Sequence, residues 1–185
     1  MARRYNETMP SGQPHLPLLW LLSDARNDAG LEKALRTLPS GSGFVFRHYH
    51  LAPDARRARF DALRKVAKAR GHSVIVAGDP VGADADGAYG AADRIEKAPG
   101  LRLATAHNGE EIARAIAAGA DGIFLSPVFP TRSHPGADTL GVHGFHMLAK
   151  RSAIPVIALG GMTPETARLL DWPRWGAIDG FMPER

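Results

Sequence analysis

Leu101-Arg-Leu-Ala-Thr-Ala-His-Asn-Gly-Glu-Glu-Ile-Ala-Arg-Ala-Ile-Ala-Ala-Gly-Ala-Asp-Gly-Ile-Phe-Leu-Ser126 holds a complete strand–helix–strand unit. Leu101–Ala104 reads as a strand. Asn108 then stands three residues before Glu111, the spacing of a capping box at a helix start. Ile112, Ala115 and Ile116 fall on the inward face of the helix, and Gly119 is its stop. Gly122–Ser126 is a continuous apolar run, as expected of a strand buried on both faces. Two strands joined by a crossover helix form a parallel pair.

The same alternation extends both ways. Upstream, Leu18–Leu22 is an apolar run, and Leu31, Ala34, Leu35 and Leu38 follow at helix spacing. Phe44–Phe46 is a second strand, and a basic amphipathic helix runs from about Asp54 to Arg70 before Gly71. Ser73–Ala77 is a third strand and Asp86–Tyr89 a weak fourth. Downstream, a shorter helix spans about Gly144 to Arg151, and Ile154–Leu159 is the seventh strand. Thr163 and Pro164 suit the N-cap and first position of another helix, and Gly176–Phe181 is the eighth strand.

This pattern predicts an α/β fold, a closed (β/α)8 TIM barrel rather than an open doubly wound sheet. The open sheet needs fewer strands and usually a Gly-rich first turn, whereas Ser23-Asp-Ala-Arg-Asn-Asp28 has no glycine. The barrel is expected to be shortened, with the helices after strands three, four and eight reduced or missing. Residues 1–15 are polar, carry Pro10, Gly12 and Pro14, and read as a tail; residues 16–185 read as one domain. The tail is a candidate cover for the place of the missing eighth helix.

Composition narrows the classes further. The 185 residues are 44% hydrophobic and 23% charged, which excludes a disordered or fibrous chain. No apolar run approaches the roughly 20 residues of a membrane-spanning helix. With no cysteine, disulfides, zinc–thiolate sites and cysteine nucleophiles are excluded. The opening residues carry no apolar segment of a secretory signal, so a cytoplasmic location is expected. The net charge of +4 suits an anionic small substrate as well as a nucleic acid. The cluster Arg56, Arg57, Arg59, Arg64, Lys65, Lys68 and Arg70 reads as a solvated helix face, so no nucleic-acid partner is expected.

In such a barrel the working residues sit where strands end and loops begin. After the sixth strand, Thr131, Arg132, Ser133 and His134 offer hydroxyls, a guanidinium and an imidazole suited to an oxyanion, or they form a turn-rich connector. After the seventh, Gly160 and Gly161 lead into a helix start, where free N–H groups favour phosphate; a Gly-Gly pair also simply makes a tight turn. Arg47 ends a buried strand and must be paired or face a site. Asp79 and Asp93 could hold Mg²⁺ on a diphosphate, although Asp79-Pro80 is also an ordinary turn signal. His107 is either a site residue or a helix cap.

Ser126-Pro-Val-Phe-Pro-Thr131 with Ser133, Leu140-Gly141, and Ile154-Pro-Val-Ile-Ala-Leu-Gly-Gly161 together resemble the thiamine phosphate synthase (thiamine-phosphate pyrophosphorylase) family. Thr105-Ala-His107 before Glu110-Glu111, and Ala120-Asp-Gly122, fit the same family. The resemblance spans most of residues 16–181 and is most specific over 103–161. It implies a TIM-barrel transferase that joins hydroxymethylpyrimidine diphosphate to hydroxyethylthiazole phosphate, releasing diphosphate with Mg²⁺. Its implied partners are phosphorylated small molecules, with neither nucleic acid nor membrane, and a homodimer is an assembly it allows.

By this resemblance Arg47 stands at the diphosphate arginine, Thr105 at a serine near the diphosphate, and Thr131 and Ser133 at two loop threonines. Gly161 stands where a backbone glycine meets the thiazole phosphate, Asp79 at one metal aspartate and Asp93 at the other. Val45-Phe46-Arg47-His48-Tyr49 stands where the family carries Gln-x-Arg-x-Lys, so one lysine is replaced by Tyr49. Gly78-Asp79 stands for Asn-Asp, His134 for the sixth-loop lysine, and Met182-Pro183 near a serine position. Two readings stand beside the synthase. One is an isomerase like the related thiazole tautomerases, against which the retained Pro127 argues. The other is a degenerate barrel that only binds thiazole or thiamine phosphate.

Overall fold

The computed structural model describes residues 16–79, 81, 84–132, 136 and 138–181. The strands are β1 (Leu19–Leu22), β2 (Gly43–Phe46), β3 (Ser73–Ala77), β4 (Gly87–Gly90), β5 (Leu101–Ala106), β6 (Gly122–Leu125), β7 (Val156–Ala158) and β8 (Trp175–Ala177). The helices are α1 (Leu31–Thr37), α2 (Pro53–Lys68), α3 (Ala92–Ile95), α4 (Gly109–Ala117), α5 (Gly141–Ala149) and α6 (Pro164–Leu170), with a 3-10 turn over Asp28–Gly30. All neighbouring strands are parallel, and β8 closes on β1 through Leu19 opposite Trp175 and Leu21 opposite Ala177. The expected TIM barrel is therefore the fold.

Alternation along each strand sends one set of side chains inward and the other toward the helices. Inside, Trp20, Leu22, Val45, Ile75, Tyr89, Leu103, Phe124 and Ile157 form one packed cluster. Trp20 and Tyr89 both meet Phe124 edge to face, at 5.6 and 5.2 Å between centroids. This filling dictates Gly43: a Cβ there would lie 2.1 Å from the Trp20 ring. Outside, Phe44, Phe46 and Val74 bury against Leu35, Phe60 and Leu63 of α1 and α2. On the opposite side, Ile123, Leu125 and Val156 bury against Ile112, Phe145 and Leu170 of α4, α5 and α6.

The helices are missing where the sequence is short. Among the described residues none lies between β3 and β4, α3 is a single turn, and none follows β8. The tail expected to cover the last gap lies outside the described residues. Phe181 covers part of it: its ring stacks on Trp175, and it packs against both outer clusters. Helix α5 begins at Gly141, three residues before the expected start.

Two helix starts follow the sequence signals. Asn108 Oδ1 accepts the Glu111 N–H at 2.9 Å. The Glu111 carboxylate reaches one residue further back than in a standard capping box, to the His107 N–H and Nδ1, each at 2.8 Å. At α6, Thr163 and Thr166 form the full reciprocal box, and Pro164 takes the first helical position.

The basic face of α2 does more than meet solvent. Arg64 reaches Asp84 at 2.8 Å, and Lys68 pairs with Asp86. Arg56 donates to the Ala77 and Asp79 carbonyls at 2.6 and 2.9 Å, and so holds the end of β3. No helix among the described residues is long and apolar enough to cross a membrane.

Candidate active site

At the C-terminal ends of the strands lies a cleft of about 630 Å³. Each wall comes from a different strand. Arg47 and Tyr49 follow β2, Tyr89 lies on β4, Thr105 lies on β5 and His107 follows it. Ser126, Pro127, Pro130, Thr131 and Arg132 follow β6, and Leu159–Thr163 follow β7. The floor is completed by the end of β8, Ala177–Gly180. Seven residues read from the sequence thus meet here: Arg47, Thr105, His107, Thr131, Arg132, Gly160 and Gly161. Ser133 and His134 lie outside the described residues.

Arg47 sits one residue beyond β2. Its backbone N–H donates to Ser23 Oγ at 2.8 Å, and its Nη2 lies 3.9 Å from Asp24 Oδ2. Asp24 also holds Arg26, Nε to Oδ1 at 2.8 Å. Burial would raise the Asp24 pKa, but Arg26 and Arg47 outweigh it and hold the carboxyl below its ordinary value. The cation at the cleft wall is therefore backed by an anion.

His107 lines the cleft and is also tied to the start of α4. Its Nδ1 donates to the Glu111 carboxylate, which only accepts, and Nε2 is left for other partners. Burial would raise the Glu111 pKa, but its bonds from His107 keep it lowered.

The turn after β7 is pressed onto the loop after β6. Val128 N–H donates to Leu159 O at 2.9 Å and Phe129 N–H to Gly160 O at 3.0 Å. Gly160 and Gly161 have φ of 92° and 63°. A Cβ on Gly160 would lie 2.7 Å from Pro127 Cα, and one on Gly161 would lie 2.6 Å from Pro130 O. So the glycines make a tight turn and a close approach together. Among the described residues, the N–H groups of Gly160, Gly161 and Met162 have no protein acceptor. Three free donors at the wall of one cleft suit an oxyanion.

Sequence reasoning missed Tyr89. Its hydroxyl has no hydrogen-bond partner among the described residues, and the ring lines the cleft. Burial pushes this hydroxyl up to about 12, against the pull of the Arg47 charge, so it stays a neutral donor. One signal was available: Tyr89 is the only large side chain in Gly87-Ala-Tyr-Gly90. A barrel interior has to be filled from that strand by this ring.

The metal candidates fall elsewhere. Asp79 is exposed and lines a second, adjoining cleft of about 870 Å³, which shares Tyr49 and Tyr89 with the first. Asp54, Arg56, Arg57 and Arg94 line it too. Asp93 is exposed on α3 and lines neither cleft. Among the described residues no three His, Cys, Asp or Glu side chains gather closely enough to hold a metal ion unaided. The donor set at Asp79 fits only a metal that takes most of its ligands from phosphate and water oxygens, as magnesium does.

A family model described as thiamine monophosphate synthase matches residues 21–171. The thiamine-phosphate synthase of Geobacillus thermodenitrificans is 28% identical, over 91% of this chain and 82% of its own length. That of Salinispora tropica is 37% identical over a shorter stretch, 49% of this chain and 44% of the relative. Among solved structures, thiamine phosphate pyrophosphorylase from Pyrococcus furiosus superposes with a TM-score of 0.73 at 23% identity, covering 87% of this chain and 85% of that one. FabK from Thermotoga maritima superposes with a TM-score of 0.66 at 17% identity, over 89% of this chain and 58% of that one. These two structural likenesses concern the fold.

Proposed function

Because the chain belongs to the thiamine monophosphate synthase family, we propose that its cleft joins hydroxymethylpyrimidine diphosphate to hydroxyethylthiazole phosphate. The observation that carries this reading is the meeting of Arg47, Thr105, Thr131 and the Gly160–Gly161 turn, from four strand ends, around one cleft. A charged donor, two hydroxyls and free backbone N–H groups suit a substrate pair that carries a diphosphate and a phosphate.

The reaction breaks the bond between the pyrimidine methylene carbon and the diphosphate oxygen, and the electron pair leaves with diphosphate. The lone pair of the thiazole nitrogen forms the new C–N bond, so no proton has to move. The protein's task is to hold both phosphorylated groups and stabilise charge as it separates. Arg47 takes the diphosphate, with Thr105 beside it. The Gly160–Met162 N–H groups take the thiazole phosphate, with Thr131 and Arg132 across the loop. By the resemblance, His134 replaces a family lysine that serves the diphosphate, and Ser133 stands at a loop threonine; both are assigned to the reacting diphosphate end with Arg47. A magnesium ion held by Asp79 would neutralise charge on the leaving diphosphate. Tyr89 contributes a neutral hydroxyl from the cleft wall.

The test is an assay with both phosphorylated halves and Mg²⁺, followed by detection of thiamine phosphate. Formation of thiamine phosphate and diphosphate in equal amounts is expected. Tight binding of the thiazole phosphate with no product would reject the synthase in favour of a binding protein.

A further inference from the structure

Behind the cleft wall runs a chain of side-chain hydrogen bonds that the reaction above does not use. Ser23 follows β1 and is fully buried. Its Oγ accepts the Arg47 N–H at 2.8 Å and lies 2.8 Å from His48 Nδ1. His48, also buried, places Nε2 2.7 Å from Asp28 Oδ1. Asp28 takes a second bond from Arg59 Nε at 2.7 Å, and Arg59 pairs in turn with Glu32.

The directions of these bonds follow from chemistry. An ionised carboxylate only accepts, so His48 Nε2 carries a hydrogen. In the neutral ring Nδ1 is then bare and accepts, so the Ser23 hydroxyl hydrogen points at it. That leaves a Ser23 lone pair for the Arg47 N–H. Each donor has one acceptor. A proton added to Nδ1 would reverse the Ser23 bond and leave a buried hydroxyl hydrogen with no acceptor among the described residues. The His48 ring is also fixed in attitude, stacked on Phe46 at 4.9 Å and 6°.

We propose that Ser23, His48 and Asp28 form a positioning device for Arg47, holding its main chain, and so the point from which its guanidinium enters the cleft, while His48 is neutral. The proposal rests on the reading that Arg47 binds diphosphate. Ser23 and His48 are positioning residues, since neither lines the cleft. The charged and titratable groups around His48 are Asp28 from the 3-10 turn, Arg59 from α2 with Glu32 behind it, and His50 from its own loop. Arg56 lies over the Phe46 ring beneath it. Burial lowers the His48 pKa, countered only in part by Asp28, which agrees with a neutral ring.

Three measurements test this. Long-range ¹H–¹⁵N spectra of the full-length protein should give a bare Nδ1 and a protonated Nε2 on His48 at pH 7. A protonated Nδ1 there overturns the proposal. The second measurement is calorimetric binding of inorganic diphosphate to wild type, Ser23→Ala, Ser23→Thr and Arg47→Ala. Ser23→Ala should bind about fivefold more weakly, the value of one lost hydrogen bond, and Ser23→Thr should bind within about twofold of wild type. Equal binding by wild type and Ser23→Ala overturns the proposal and leaves the functional reading intact. If wild type itself binds no diphosphate, the functional reading falls. The Arg47 Nε resonance then decides: it should shift in Ser23→Ala and not in Ser23→Thr, and an unshifted resonance in both overturns the positioning role.

Discussion

The Phe181 ring lies flat against Trp175, with centroids 4.6 Å apart and planes inclined by 22°, on the outer side of β8. Among the described residues no helix follows β8, so this pair covers apolar surface that a barrel's eighth helix normally covers. Phe181→Ala should cost about 2 kcal/mol, less than a fully buried phenylalanine because its ring is half-buried. For a domain of this size that lowers Tm by roughly 4 to 8 °C. Thermal unfolding followed by circular dichroism checks it. An unchanged Tm would mean that the stack adds nothing to the closure of the barrel.

Arg47→Ala should leave the fold alone and remove the charged donor from the cleft. A hydrogen bond to a charged group is worth about 1.5 to 3 kcal/mol, so kcat/KM for the diphosphate substrate should fall about 10- to 100-fold. Arg132→Ala, at an exposed position on the loop after β6, should cost less than tenfold, or about 1 kcal/mol. Steady-state kinetics on the two variants side by side gives the order; equal losses would remove the special role of Arg47.

Gly161→Ala tests the turn rather than a side chain. Its φ of 63° and the 2.6 Å approach to Pro130 O leave no room for a methyl group. The turn must move away from the loop after β6, carrying its N–H donors with it. We expect stability to fall by about 1 to 3 kcal/mol. The KM for the thiazole phosphate should rise more than that for the diphosphate substrate. Equal changes in both would show that the turn does not bind the thiazole side.

The barrel was legible because its units carry local signals. Asn108 and Gly119 bracket α4, and Thr163-Pro164 opens α6, each by backbone chemistry confined to a few residues. Arg47, Thr105 and Gly161 were legible as strand-end residues, since the barrel brings all such ends to one face. Other parts depend on distant partners. Ser23 and His48 are 25 positions apart and meet only after β1 and β2 pair. Tyr89 reads as one polar aromatic in a weak strand until the interior is packed around it. Asp93 lies away from both clefts for a simpler reason: α3 is a single turn, and Asp93 is on its exposed side.

Acid should destabilise the protein earlier than its carboxylates require. His72 is buried, its Nε2 lies 2.9 Å from Leu35 O, and its Nδ1 has no partner among the described residues. Burial lowers its pKa from the ordinary value of 6.5, and His48 is lowered in the same sense. As pH falls, the unfolded chain therefore takes up these protons first, and stability declines from about pH 6.5 downward. Asp24, Asp28 and Glu111 are also lowered, but their unfolded pKa values lie near 4, so their loss comes later. The window between about pH 6.5 and 5 belongs to the histidines. His72→Phe keeps a ring of similar size and removes one titrating group, while leaving the Leu35 carbonyl unpaired. It should lower Tm at pH 7.5 and flatten the decline between pH 7.5 and 5. An acid slope equal to that of wild type would show that His72 pays no penalty for its proton.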